Sequence, residues 1–185
     1  MSHLDELLKR NKEFAAQQSA AGTLMPSLKA AMPNLRGIVI TCADPRVDPE
    51  KILGIKLGEV VVLRNIGGRV TPALLEELGL LGQIGALTNT VPGGGGEFHL
   101  IVLQHTNCGM TILAPEKEKL AHYFQIGVSD LEKKSVSDPH AGVKADVAIL
   151  KSISVLPAQW LISGLVYDVA TGLVEVVVPA AAIHS

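Results

Sequence analysis

The stretch RGIVITCADPR, residues 36–46, joins a short apolar run to a cysteine and then to an acidic and a basic residue. Two further runs of the same kind follow, EVVVLRN at 59–65 and HLIVLQH at 99–105. Such runs are rich in β-branched residues and do not alternate between polar and apolar positions. This pattern is typical of parallel strands that are buried on both faces.

Helical patterns separate these runs. Residues 71–88 begin with Thr-Pro, which suits the N-cap and first position of a helix. Residues 109–124 predict a helix that is interrupted at Pro115, and residues 144–153 predict another. Strands that alternate with helices predict an α/β domain with a mainly parallel central sheet flanked by helices.

The two ends of the chain add one helix and one hairpin. Residues 2–19 predict a helix in which Ser2 and Asp5 form a capping box. Near the other end, GLVYDVATGLVEVVV predicts a C-terminal β-hairpin that turns near residues 170–172. Because no linker or composition shift divides the sequence, we expect one domain over 1–185, with 1–20 as an N-terminal helical arm.

Composition excludes several classes of function. The net charge is −2 and aromatic residues make up 3% of the sequence, which gives no basis for binding nucleic acid or an anionic membrane. The four glycines at 93–96 lack the Lys-Ser/Thr of a phosphate loop and are interpreted as a connection. No secretory signal and no run of about 18 apolar residues is found, so a cytoplasmic protein is expected.

The two cysteines of the sequence, Cys42 and Cys108, point to a metal centre. In a reducing compartment, cysteines are more often metal ligands or catalytic groups than a disulfide. Cys42 and His105 each end an apolar run, and His105 and Cys108 form an H-x-x-C pair. If the two strands are neighbours, their carboxyl ends bring these side chains together. Two thiolates and one imidazole suit zinc, whereas the alternative is that both cysteines are small buried apolar groups.

Asp44 and Arg46 follow Cys42 at spacings of two and four residues. In an extended segment this spacing places all three side chains on one side. Arg46 can then hold Asp44 in a bidentate pair and keep its carboxylate off the metal. The alternative is an ordinary salt bridge within a loop, in which Asp44 also caps a turn.

The sequences CADPR and HTNC together resemble the C-x-D-x-R and H-x-x-C motifs of the β-class carbonic anhydrases. The similarity extends to VVVLRNIGG and VYDVATG and covers about residues 34–179. It implies the fold of that family and one Zn²⁺ per subunit. The implied zinc ligands are Cys42, His105 and Cys108, and the implied catalytic pair is Asp44 and Arg46. The resemblance also implies a homodimer or homotetramer, with the N-terminal helix packed on a partner subunit.

The resemblance implies an enzyme in which zinc-activated hydroxide attacks a small linear O=C=X molecule. Reversible hydration of CO₂ to bicarbonate is the first expectation. Hydrolysis of carbonyl sulfide is the alternative, because the compact branch that this sequence resembles contains both activities. Pocket walls would decide between them, and Tyr123 and Phe124 are candidates for those walls. A more remote alternative is a non-enzymatic zinc-binding interaction domain with Asp44 as fourth ligand.

Overall fold

The computed structural model describes residues 2–88 and 96–184 and contains a five-stranded sheet. The strands are β1 (Gly37–Cys42), β2 (Val60–Asn65), β3 (His99–His105), β4 (Leu161–Tyr167) and β5 (Val174–Ala182). The helices are α1 (His3–Ala21), α2 (Leu28–Ala31), α3 (Pro49–Leu53), α4 (Pro72–Leu87), α5 (Lys117–Phe124) and α6 (Pro139–Lys151). The predicted α/β class and the three strands predicted before residue 106 are confirmed.

The sheet has the strand order β2-β1-β3-β4-β5. β1 pairs in parallel with β2 and β3, β3 pairs in parallel with β4, and β5 closes an antiparallel hairpin with β4. The predicted hairpin is therefore confirmed. β1 is buried along its whole length, but β2 is only half-buried because it is an edge strand, so the expectation of burial on both faces is wrong for β2.

The helix ends follow their capping residues. The Ser2–Asp5 capping box is present, and the Thr71 hydroxyl accepts from the backbone of Leu74 at 3.2 Å. The segment after Cys108 forms a 3₁₀ turn over Gly109–Leu113 before α5, which confirms the predicted interruption. α6 begins five residues before the predicted position 144, because Asp138 caps it through the His140 N–H.

The main core lies between the sheet and helices α4 and α6. Ile40 of β1 and Val102 of β3 are fully buried against Leu74 of α4 and Val147 of α6. Val39 points to the opposite face, where it joins a smaller cluster. This alternation along the buried strands fixes which side chains reach the ends of β1 and β3.

Helix α1 has no buried residue. Its apolar side chains Leu4, Leu7, Leu8 and Phe14 are between 44% and 62% exposed. Among the described residues, none of the helices combines the length and apolarity that crossing a membrane would require. Apart from Gly96, the glycine run interpreted as a connection lies outside the described residues.

Candidate metal centre

Three buried side chains that can bind a metal meet at the carboxyl edge of the sheet. Cys42 ends β1, His105 ends β3, and Cys108 lies one turn beyond His105. Because β1 and β3 are parallel neighbours, their ends lie side by side. One ligand atom from each residue lies within 4.8 Å of the others. The structure thus brings together the three residues that the sequence suggested as ligands.

The geometry of this group fits a tetrahedral zinc ion. Two sulfur atoms at about 2.3 Å from a tetrahedral centre lie about 3.8 Å apart, and the two Sγ atoms are 3.8 Å apart. His105 Nδ1–H donates to the Thr106 carbonyl at 2.9 Å, so Nε2 carries the free lone pair. Nε2 is buried and has no hydrogen-bond partner among the described residues. A metal ion would satisfy this buried acceptor.

The two cysteine side chains are hydrogen-bonded to each other. The bond from the Cys108 thiol, together with weaker bonds from the backbone N–H groups of Asp44 and Gly67, lowers the pKa of Cys42 to about 4. The same bond raises the pKa of Cys108. Backbone N–H groups of Asp44 and Met110 lie 3.4 and 3.5 Å from the two Sγ atoms and favour their anionic form. A thiolate is the form that binds zinc.

Asp44 lies beside this group and is held away from it by Arg46. Arg46 Nε donates to Oδ1 at 2.9 Å and Nη2 donates to Oδ2 at 2.7 Å. These bonds hold the pKa of Asp44 well below its usual range. Asp44 Oδ2 nevertheless stays 3.9 Å from His105 Nε2. The carboxylate is therefore ionised next to the candidate metal position, with both oxygens already bonded.

Arg64 of β2 holds the loop that carries Asp44, and the sequence analysis did not find it. Its Nε donates to the Cys42 carbonyl at 3.2 Å. Its Nη2 donates to the carbonyls of Asp44 at 2.9 Å and Val47 at 2.6 Å. The sequence feature that could have indicated this role is that Arg64 is the single charged residue in the apolar run VVVLRN.

Gly68 lets the loop after β2 approach the end of β1. Its φ is +62°, and a Cβ at this position would lie 2.7 Å from the Cys42 backbone nitrogen. Asn65 closes the same loop, because its side chain both donates to and accepts from the Arg69 backbone, at 2.7 and 2.8 Å. The loop therefore packs directly against the candidate metal ligand.

A buried ion pair lies behind the metal group. Arg69 and Asp146 are 2% and 0% exposed, and Arg69 Nε donates to Asp146 Oδ2 at 2.6 Å. Gln104 donates to the same oxygen at 3.0 Å. A cavity of about 10 Å³ lies beside Arg69, His105 and Cys108. Its walls are formed by Gly67, Arg69, Gln104, His105, Cys108, Met110, Thr111, Val136 and Pro139.

The two aromatic residues suggested for the pocket walls pack near the cysteines. Phe124 is buried in one cluster with Cys42 and Cys108, and Arg69 lies 5.2 Å from its ring centre. Tyr123 donates to the Ile66 carbonyl at 2.9 Å, and burial raises its pKa to about 12. Neither is among the residues that form the walls of the small cavity.

Asp146→Ala is expected to lower the free energy of unfolding by about 3–5 kcal/mol, because it leaves the Arg69 guanidinium buried without its partner. Urea unfolding followed by circular dichroism measures this change. Asp130→Ala is the matched control, since it removes an exposed ion pair with Lys133 and should leave the midpoint nearly unchanged. Equal midpoints for the two variants would contradict this role of Asp146.

The chain is similar to several known proteins. A family model described as carbonic anhydrase matches residues 37–174. β-Carbonic anhydrase 1 of Mycobacterium tuberculosis is 27% identical over 180 residues, covering 97% of this chain and 100% of the relative. Carbon disulfide hydrolase of Acidianus sp. is 28% identical, covering 91% and 86%. The crystal structure of a carbonic anhydrase from Streptococcus mutans has a TM-score of 0.66 and 31% identity, covering 96% and 98%.

Proposed function

The chain belongs to the β-carbonic anhydrase family, and from that premise we propose that it is a zinc enzyme for reversible hydration of CO₂ to bicarbonate. The observation that carries this proposal is the buried group of Cys42, His105 and Cys108 beside an ionised Asp44. The donor set of two sulfurs and one imidazole nitrogen suits Zn²⁺.

Cys42, His105 and Cys108 would hold the zinc ion. When bound, zinc supplies a water of lowered pKa, and hence a nucleophile for the carbon of CO₂. Asp44 is ionised and can accept a hydrogen bond from that nucleophile, which orients it toward the substrate. Arg46 fixes the Asp44 carboxylate in this position through its two parallel hydrogen bonds. Proton transfer to buffer then completes each cycle.

The Asp44–Arg46 pair also argues against a purely structural zinc site. Structural zinc sites have four protein ligands, whereas catalytic sites keep one position open. Asp44 is the acidic residue at this edge that could supply a fourth ligand, and Arg46 engages both of its oxygens. An open fourth position therefore accords better with the geometry than the alternative of a non-enzymatic zinc-binding domain.

Hydrolysis of carbonyl sulfide is a second candidate function. The carbon disulfide hydrolase of Acidianus sp. resembles this chain over most of its length, and carbon disulfide, the substrate in its name, is a linear sulfur analogue of CO₂. The same nucleophile could attack carbonyl sulfide and give CO₂ and H₂S. We propose CO₂ as the better substrate, and parallel kcat/KM values for CO₂, carbonyl sulfide and carbon disulfide test this. A higher value for either sulfur compound would reassign the substrate.

We expect kcat/KM for CO₂ to rise between pH 6 and pH 9. The pKa of Asp44 is lowered, so Asp44 is ionised throughout this range and cannot cause a loss of activity within it. Two thiolate ligands would make zinc a weaker Lewis acid than three imidazole ligands would. A water bound to the zinc would therefore lose its proton at a higher pH. Stopped-flow assays in buffers of constant ionic strength measure the profile. A rate that falls as the pH rises would contradict this assignment.

We propose that the chain forms a homodimer or homotetramer in which α1 packs on a partner subunit. The support is the exposed apolar side chains of α1, which have no cover within the described chain. Leu4→Ser combined with Leu8→Ser is expected to lower the mass in sedimentation velocity, whereas Lys9→Ser on the same helix is not. An unchanged mass in the leucine variant would contradict the role of α1.

We propose a cytoplasmic location, because Cys42 and Cys108 are free thiols that must remain reduced to bind zinc. Fractionation of source cells tests this, and recovery of the protein from an oxidising compartment would contradict it.

A further inference from the structure

We propose that Asp168, in the turn of the C-terminal hairpin, is a positioning residue for the metal centre. It acts through Thr106 on the short turn formed by residues 106 and 107, whose two carbonyls hold the His105 ring and the Arg46 side chain. This inference rests on the proposed function, because it takes His105 as a zinc ligand. Asp168 lies outside the C-x-D-x-R and H-x-x-C motifs, in the stretch VYDVATG.

The first step is the contact between the hairpin and Thr106. The Thr106 hydroxyl donates to Asp168 Oδ1 at 3.0 Å and accepts from the Val169 N–H at 3.1 Å. The Thr106 N–H donates to the Tyr167 carbonyl at 2.9 Å. Thr106 is therefore held by the hairpin through both its backbone and its side chain, one residue beyond the end of β3.

The second step is the rigidity of Asp168 itself. Its Oδ1 accepts from the Ala170 N–H at 2.9 Å, and its Oδ2 accepts from the Thr171 hydroxyl at 3.0 Å. Its backbone closes the turn through bonds with Leu173 at 2.9 Å and Gly172 at 2.8 Å. These local hydrogen bonds restrain the Asp168 carboxylate, so it can hold Thr106 in one orientation.

The third step leads from Thr106 to the metal group. The Thr106 carbonyl accepts from His105 Nδ1 at 2.9 Å, and this bond leaves Nε2 free for a metal. The next residue, Asn107, has a φ of +52°, and its carbonyl accepts from Arg46 Nη2 at 2.9 Å. One short turn thus holds both a candidate ligand and the arginine of the Asp44 pair.

Loss of the Asp168–Thr106 bond would release this turn without removing any candidate ligand. The His105 ring would then lose the fixed acceptor that sets its orientation. Partners that orient a metal-binding histidine in this way typically contribute about 10–100-fold to metal affinity. We therefore expect weaker zinc binding from changes at Thr106 or Asp168, in proteins that keep all three candidate ligands.

The experiment measures the zinc dissociation constant by competition with a chromophoric chelator. Thr106→Val removes the hydroxyl at nearly constant shape, Thr106→Ser restores it, and Asp168→Ala removes the carboxylate. Asp130→Ala is the matched control, because it removes an exposed carboxylate that pairs with Lys133 and not with Thr106. Absorption of the cobalt-substituted proteins reports the ligand geometry, and circular dichroism verifies that each variant is folded.

We expect Thr106→Val and Asp168→Ala to weaken zinc binding about 10-fold or more and to change the cobalt spectrum. The double variant should bind zinc no more weakly than the single variant with the lower zinc affinity, because both single changes remove the same Asp168–Thr106 contact. Thr106→Ser and Asp130→Ala should resemble the wild type. Wild-type affinity in Thr106→Val and Asp168→Ala would overturn the inference, as would an equal loss in Asp130→Ala. A wild-type protein that binds no zinc would overturn the proposed metal site itself.

Discussion

Cys108→Ser is expected to abolish stoichiometric zinc binding and to lower CO₂ hydration by at least about 100-fold, since even the loss of a residue that only supports a ligand costs about 10–100-fold. Serine replaces a thiolate by a hydroxyl that stays protonated and binds zinc weakly. The substituted group is buried, with its sulfur 3.8 Å from the Cys42 sulfur. Zinc content by plasma emission spectrometry and stopped-flow hydration measure the two effects.

The Cys108→Ser variant is also expected to have a lower thermal stability, because zinc stabilises the folded state by binding to it. Zinc-free wild-type protein is the control that separates loss of the metal from loss of the thiol. Cys108→Ser should unfold at or below the temperature of that control. A variant that kept one zinc per chain and wild-type activity would show that Cys108 is not a ligand.

Arg46→Ala is expected to keep zinc but to lose about 100-fold or more of the activity. Without the guanidinium, Asp44 Oδ2 loses its bond from residue 46, whereas Oδ1 keeps the bond from the backbone N–H of residue 46 at 2.9 Å. Asp44 Oδ2 already lies 3.9 Å from His105 Nε2, so a small rotation lets it bind the metal as a fourth ligand. Plasma emission spectrometry measures the zinc content, and stopped-flow assays measure kcat/KM for CO₂. X-ray absorption at the zinc edge detects the added oxygen ligand.

Arg10→Ala is a suitable control for this prediction, since Arg10 pairs with Glu6 on the exposed surface of α1. It should leave zinc content and rate unchanged. Arg46→Lys tests the bidentate geometry, because lysine keeps the charge but cannot form two parallel bonds. Full activity in Arg46→Ala would contradict the role of Arg46 in holding Asp44.

The sequence was sufficient to predict the elements whose cause is local. The apolar runs at 36–42 and 99–105 form β1 and β3, because strands buried on both faces consist mainly of apolar residues. Thr71 and Ser2 cap helices through bonds that span three residues. The proximity of the three candidate ligands was also predicted from their positions at the ends of two apolar runs, on the assumption that the two strands are neighbours.

Features that depend on distant partners could not be predicted in this way. Arg69 is bonded to Asp146, 77 positions away, and Thr106 is bonded to Asp168, 62 positions away. Nothing near Arg69 in the sequence distinguishes it from an exposed arginine. The partial burial of β2 likewise depends on its place at the edge of the sheet, which the run VVVLRN does not reveal.

The most direct test of the central claim is a titration of zinc-free protein with Zn²⁺, in which CO₂ hydration is measured at pH 8.5 after each addition. The claim predicts a rate that rises linearly and stops rising at one zinc per chain. A protein that binds one zinc per chain, stays folded and hydrates CO₂ no faster than buffer alone would contradict it.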